Sequence, residues 1–239
     1  MMSRFLLTAS LFCALLLGGC QLLESGSETA SVQFEYNLRE SPADWEAFFT
    51  DFNVDNRDGM ELKSEYANLP EPLDTSDSGL YISALNQSDD VKMMFRRQIE
   101  GLEPNGDYSV HFTVRFATSV PSGCVGIGGP PGEAVRVIAD ATEIKPQPFI
   151  EDGYYRLNIQ HQNGADQWYQ NAMMGNIANS RECEEGERYE IKELTSGEEH
   201  AVVKADDNGK AWLMVGTRSG FEGRTELYYT HIEAIATRI

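Results

Sequence analysis

The groups in this 239-residue chain that could do chemistry are four histidines, four cysteines and a large surplus of acids. His111, His161, His200 and His231 stand apart, with no Gly-x-Ser-x-Gly or His-Glu-x-x-His pattern around any of them. Neither a nucleophile elbow nor a zinc helix can be read from the residues. Asp89-Asp90 and Glu184-Glu185 are carboxylate pairs of the kind that flank a glycosidic bond, yet where 38 acids face 19 bases such neighbours are solvated surface. No catalytic residue is assigned, and the chain is not expected to be an enzyme.

Two apparent ligand motifs fail on detail. Gly126-Ile-Gly-Gly-Pro-Pro-Gly132 has glycines that let backbone N–H groups approach an anion, but Pro131 stands where the dinucleotide fingerprint needs its third glycine. Pro130 and Pro131 also remove two donors, and no Lys-Ser/Thr follows, so a shaped loop at the rim of the fold is expected. Asp51, Asn53, Asp55 and Asp58 imitate the spacing of a calcium loop, but Asn56 and Leu62 replace its glycine and its bidentate glutamate. The one cofactor left open is a structural calcium between Glu35 and Glu233, on the candidate first and last strands.

Sugar recognition uses aromatic faces for C–H groups and amides or carboxylates for hydroxyls. Asn163-Gly-Ala-Asp-Gln-Trp-Tyr-Gln-Asn171 offers that mixture through Asp166, Trp168, Tyr169 and Asn171; the competing role for Trp168 is to plug the core beneath its loop. Trp45, after Pro42, has the same two roles open to it. Arg96, Arg97, Glu133, Arg218 and Glu222 would add polar contacts if their loops converge, whereas Trp212 is assigned to the core.

The elements that must position these groups read as short β-strands separated by Gly, Pro, Asn and Asp clusters. Tyr108, Val110, Phe112, Val114 and Phe116 alternate with polar residues, which gives one buried and one solvated face. Val91–Ile99 precedes it across Glu100–Gly106, and the two are expected to form an antiparallel hairpin. A second hairpin is expected between His200–Ala205 and Lys210–Gly216, joined at Asn208-Gly209. Trp212–Val215, apolar on both faces, reads as a central strand. Further strands are expected over 32–38, 47–54, 60–66, 79–86, 134–140, 154–161, 187–194 and 226–236, with at most a helical turn or two near 42–48 and 166–174. The fold class is all-β, an antiparallel two-sheet sandwich in one domain, residues 32–239.

Arg4 precedes the apolar run Phe5–Leu17, too short for a membrane span, and Leu17-Gly18-Gly19-Cys20 follows. That sequence resembles a bacterial lipobox, which implies a signal peptide over 1–19, an acylated Cys20 as first mature residue and a flexible tether over 20–31. Gln21 after the cysteine resembles an outer-membrane sorting signal for a host with two membranes. The mature chain then carries 18 bases and 38 acids, a net charge of −20 that argues against nucleic-acid partners. With 41% hydrophobic and 10% aromatic residues, acidity does not imply disorder. Cys124 and Cys183 remain to be bridged or left as buried thiols, and export favours the bridge, worth roughly 4 kcal/mol by loop closure.

Gly79–Asp90, Ile99–Tyr108, Ser122–Glu133 and Gly216–Gly223 together resemble a group of uncharacterised bacterial secreted proteins and lipoproteins. The hairpin around Gly101-Leu102 and the final strand are also similar to galactose-binding-like jelly rolls, the scaffold of many carbohydrate-binding modules. The expectation is a lipid-anchored envelope protein whose jelly-roll sandwich binds an extracellular ligand, foremost a carbohydrate. An envelope protein with a protein partner is the second reading, and a glycoside-hydrolase-like enzyme the third.

Overall fold

The structure, a computed structural model, describes residues 30–87, 90–159, 173–197 and 200–239. Two antiparallel sheets face each other. The seven-stranded sheet holds β1 (Ser31–Asn37), β4 (Lys63–Asn68), β5 (Ser78–Leu85), β7 (Asp107–Thr118), β12 (Glu190–Thr195), β13 (Ala201–Lys204) and β15 (Arg224–Arg238). The five-stranded sheet holds β2 (Glu46–Thr50), β6 (Val91–Glu100), β8 (Val135–Thr142), β11 (Met173–Asn176) and β14 (Lys210–Ser219). A small third sheet, of β3 (Phe52–Asn53), β9 (Pro148–Glu151) and β10 (Tyr154–Leu157), packs Leu157 against Phe48, Met94, Ile138 and Met214 on the outer side of the five-stranded sheet.

The all-β jelly-roll sandwich expected from the alternation is therefore the fold. Tyr108, Val110, Phe112, Val114 and Phe116 on β7 are all buried, and they meet Met93, Phe95 and Ile99 of β6 with Leu213 and Val215 of β14 in one core. Neutral apolar surface removed from water drives this packing, at about 25 cal/mol per Å². β14 is central, between β6 and β8. Among the described residues every strand lies between Ser31 and Arg238, with the first and last strands paired along Ser31↔Thr237 to Asn37↔His231.

Two pairing expectations are corrected. β6 and β7 do not form a hairpin: β6 pairs with β2 and β14, and β7 with β12, β13 and β15, so Glu100–Gly106 carries the chain from one sheet to the other. β13 and β14 are split in the same way although Asp206–Gly209 does make a tight turn, with Asp206 Oδ1 accepting from the N–H groups of Asn208 and Lys210. Burying both apolar faces against each other outweighs the local ladder that a hairpin would have made. Residues 42–48 turn and enter β2 rather than a helix, because Ala43 and Asp44 adopt left-handed backbone angles that no helix tolerates. Among the described residues helix is limited to three-residue 3-10 turns at Val54–Asn56, Asp58–Met60 and Cys183–Glu185.

Cys124 and Cys183 form a disulfide with Cα atoms 5.1 Å apart. It ties the loop after β7 to the loop before β12, both of which cross between the sheets.

Candidate functional site

The groove begins where β2 stops. β2 pairs with β6 from Thr50↔Lys92 to Glu46↔Arg96, while β6 runs on to Glu100 alongside β14. Arg97–Glu100 therefore has one edge without a strand partner among the described residues, and a groove of about 490 Å³ opens there between β6 and β1. Tyr36 forms one wall; Arg96, Gln98 and Trp212 lie on the opposite side of the strand. Asp44, Glu46 and Glu100 bring carboxylates to its rim.

Alternation explains its chemistry. Val91, Met93, Phe95 and Ile99 point into the core, and Arg97 shares their phase, so its guanidinium enters the sandwich at the open edge. It lies 4.7 Å from the Tyr36 ring centroid and 3.5 Å from Asp44 Oδ2. Its Nε and Nη1 are buried without a hydrogen-bond acceptor. An unmet buried donor costs roughly 1–3 kcal/mol, and the Asp44 carboxylate offsets part of that cost at Nη1.

Arg96 is already committed. Its Nε and Nη2 reach Glu46 Oε2 at 3.1 and 3.0 Å, and its Nη1 donates to the Pro146 carbonyl. Lys145 donates to the same Glu46 oxygen at 3.0 Å, and hydrogen bonds from Lys145 and then Arg96 hold the Glu46 carboxyl below its ordinary value. Lys145 Nζ also lies 5.0 Å from the Trp212 ring centroid, which fixes one side of the indole.

The structure redistributes the residues singled out above. Trp212 is half-buried and lines the groove rather than sitting in the core, because its position on β14 opposes Gln98 and Thr142 on the outer side of the sheet. Trp45 has the opposite fate: it is 7% exposed, packed edge-on to Tyr36 at 5.5 Å, and supports the groove wall from behind. Asp166, Trp168, Tyr169 and Asn171 lie outside the described residues, as does Cys20. Arg218, Glu133 and Glu222 collect at the far end of the sheet. There Arg218 pairs with Asp90 at 2.6 Å, Glu133 accepts from Gly123 N–H at 2.8 Å, and Glu222 N–H donates to the Ile127 carbonyl at 2.8 Å. The glycine-rich segment is a rim loop, in which Gly128 has φ +73° and a Cβ there would lie 2.2 Å from the Gly220 carbonyl oxygen.

Glu35 and Glu233 are directly opposite on β1 and β15. Glu35 shares a second, smaller pocket with Arg39, Arg115 and His231, and Glu233 accepts from Gln33. No group of three or more acidic, histidine or cysteine side chains arranged for a metal occurs among the described residues.

Tyr36, Gln98, Glu46 and Lys145 were missed because strand register, invisible in sequence, brings them together. One signal was present: an arginine in the inward phase of an otherwise apolar set.

No protein-family model and no curated protein sequence matches the chain. Among solved structures, a carbohydrate-binding module studied for specific mannan recognition aligns with 87% of this chain and 98% of its own, at 10% identity and TM-score 0.38. The family 11 carbohydrate-binding module of a cellulosomal cellulase from Clostridium thermocellum aligns over 86% and 95%, at 8% identity and TM-score 0.32. The K1 cleaved adhesin domain of Lys-gingipain from Porphyromonas gingivalis aligns over 85% and 97%, at 9% identity and TM-score 0.35. Likeness of this degree carries no argument about a ligand, which rests on the groove itself.

Proposed function

We propose that this is a lipid-anchored protein of a bacterial envelope whose sandwich binds carbohydrate in the groove at the β6 edge. One observation carries the reading: a half-exposed indole, Trp212, shares a groove of about 490 Å³ with Tyr36, Arg97, Gln98 and the carboxylates of Asp44 and Glu100. The size falls within the roughly 300–1,000 Å³ of small-ligand sites. A sugar ring has apolar C–H groups to set against Trp212 and Tyr36. Its hydroxyls can accept from Arg97 and Gln98 and donate to Asp44 and Glu100, meeting both needs with one kind of ligand.

Anchoring rests on Arg4, the Phe5–Leu17 run and Cys20, and the Cys124–Cys183 bridge agrees with an oxidising compartment. Two or three acyl chains on the N-terminal residue would hold the domain at the membrane, each buried CH₂ adding about 0.8 kcal/mol. In a host with two membranes the outer one is the proposed address.

The test is a glycan array probed with residues 30–239, wild type and Trp212→Ala. The wild type should bind a defined set of glycans and the variant should lose that set, with affinity down about 100-fold. Absence of glycan binding by the wild type would end the carbohydrate reading. Cys20→Ser in the native host should release the protein from the membrane fraction, and unchanged fractionation would refute the anchor.

A second reading, docking to an envelope protein, is favoured by the rim loop. Val125 and Ile127 are 98% and 72% exposed there, beside the disulfide.

A further inference from the structure

At the end of the five-stranded sheet away from the groove, one row across the strands is built from cations. Lys92 on β6, Arg218 on β14 and Arg136 on β8 lie directly opposite one another, and Asn176 on β11 closes the row. Like charges directly opposite across a sheet repel, so each needs a counter-charge. Asp51 lies 2.7 Å from Lys92 and Asp90 lies 2.6 Å from Arg218, but Asp51 is also 3.6 Å from Arg156. Among the described residues Asp51 and Asp90 thus pair with Lys92, Arg156 and Arg218, and Arg136 is outside these pairs, in a chain whose net charge is −19. Arg136 is the half-buried member left over, with no acidic or hydrogen-bonding partner among the described residues. Beside it, Asn176 Oδ1 accepts from Lys192 Nζ at 3.2 Å and from Ala178 N–H at 3.1 Å, which leaves the amide nitrogen as a donor.

We propose that Arg136, flanked by Arg218 and Asn176, binds an oxyanion, the carboxylate of a uronate or a sulfate group. A guanidinium offers two parallel N–H groups to such an anion, and local positive charge inside an acidic protein focuses anions on that point. The site is separate from the groove: Trp212 and Arg218 are six residues apart on β14, about 20 Å at strand rise. It stands whether or not the groove binds sugar.

The experiment is an NMR titration of residues 30–239, read at the arginine Nε–H signals, with sodium sulfate, sodium galacturonate and polygalacturonate at constant ionic strength. The expected result is a saturable shift at Arg136 and Arg218. Arg136→Gln should weaken it about tenfold, as expected for losing a charge-assisted pair. Arg136→Lys should fall between, since an ammonium lacks the fork. Arg39→Gln, on the other sheet, and Trp212→Ala should leave it unchanged. Because Arg136→Gln removes a repelling charge, its melting temperature should equal or exceed that of the wild type. Tighter binding of polygalacturonate than of the monomer assigns the site to an acidic glycan; sulfate alone assigns it to a sulfate group or free inorganic anion. The proposal is overturned if no probe gives a saturable shift, or if Arg136→Gln binds as the wild type does. A lower melting temperature with unchanged anion affinity would likewise overturn it, by making Arg136 structural.

Discussion

The outer face of the seven-stranded sheet clusters three tyrosines, whereas the β6 edge of the other sheet opens into a groove lined by Tyr36, Arg97 and Trp212. Tyr81 and Tyr228 stack with ring centroids 4.8 Å apart, and Tyr189 meets Tyr228 edge-on at 5.8 Å. Two of the three hydroxyls share one acceptor: Glu226 Oε2 accepts from Tyr81 at 3.1 Å, Oε1 accepts from Tyr189, and Lys63 sits 5.3 Å over the Tyr81 ring. Burial and then Glu226 push the Tyr189 phenol far above its ordinary value, and burial first, then Glu226 and Tyr81, raise Tyr228 to about 12. These are packed, neutral phenols, and Glu226 accepts from two of them. At the β6 edge, by contrast, Arg97 lines an open groove, with its Nε and Nη1 buried and Asp44 Oδ2 3.5 Å from Nη1. Aromatic density alone marks packing; the β6 edge differs in leaving an indole half-exposed beside polar side chains in a groove.

That contrast can be broken or sharpened by substitution. The largest expected effect is on stability: Glu226→Ala leaves two tyrosine hydroxyls without their acceptor and should cost about 2 kcal/mol in urea unfolding, with glycan affinity unchanged. If it abolished binding instead, the tyrosine face would be the site. Next, Arg97→Gln should weaken glycan binding about tenfold, as for the loss of one charge-assisted hydrogen bond, and leave stability within about 1 kcal/mol. Unaltered affinity would remove Arg97 from the site.

The smallest effect tests the remainder of the seven-stranded sheet. His111 and His200 stack with centroids 4.2 Å apart, and burial, then the His200 charge, lowers the His111 pKa. The folded protein therefore resists a proton that the unfolded chain accepts, so this pair lowers stability as pH falls below the ordinary histidine value toward the depressed one. By NMR, His111 should titrate below that ordinary value, and His200→Gln should move it part of the way back, the burial contribution remaining. A His111 titrating normally would contradict the packing described for this face.

Sequence reached the fold class through strands such as Tyr108–Phe116, where alternation and burial express the same physics. It placed β14 centrally for the same reason, since a strand apolar on both faces needs cover on both. Pairing was not legible: nothing local tells a turn that closes a hairpin from one that crosses between sheets, and Glu100–Gly106 and Asp206–Gly209 both cross. The site was half legible. Arg96 and Arg97 were named, but Trp212 was assigned to the core because its phase relative to Gln98 depends on register. Trp45 kept both roles open, and the contact with Tyr36 that buries it is long-range. Export logic did identify Cys124 and Cys183 as partners, since redox compartment and cysteine count need no geometry.

The most direct test of the central claim is amide hydrogen exchange of residues 30–239 with and without a glycan selected from the array. Arg97–Glu100 and Lys210–Met214 should exchange more slowly in the complex, while Ser78–Leu85 and Arg224–Tyr229 remain unchanged. Protection confined to the tyrosine-bearing strands, with none along the open edge of β6, would contradict it.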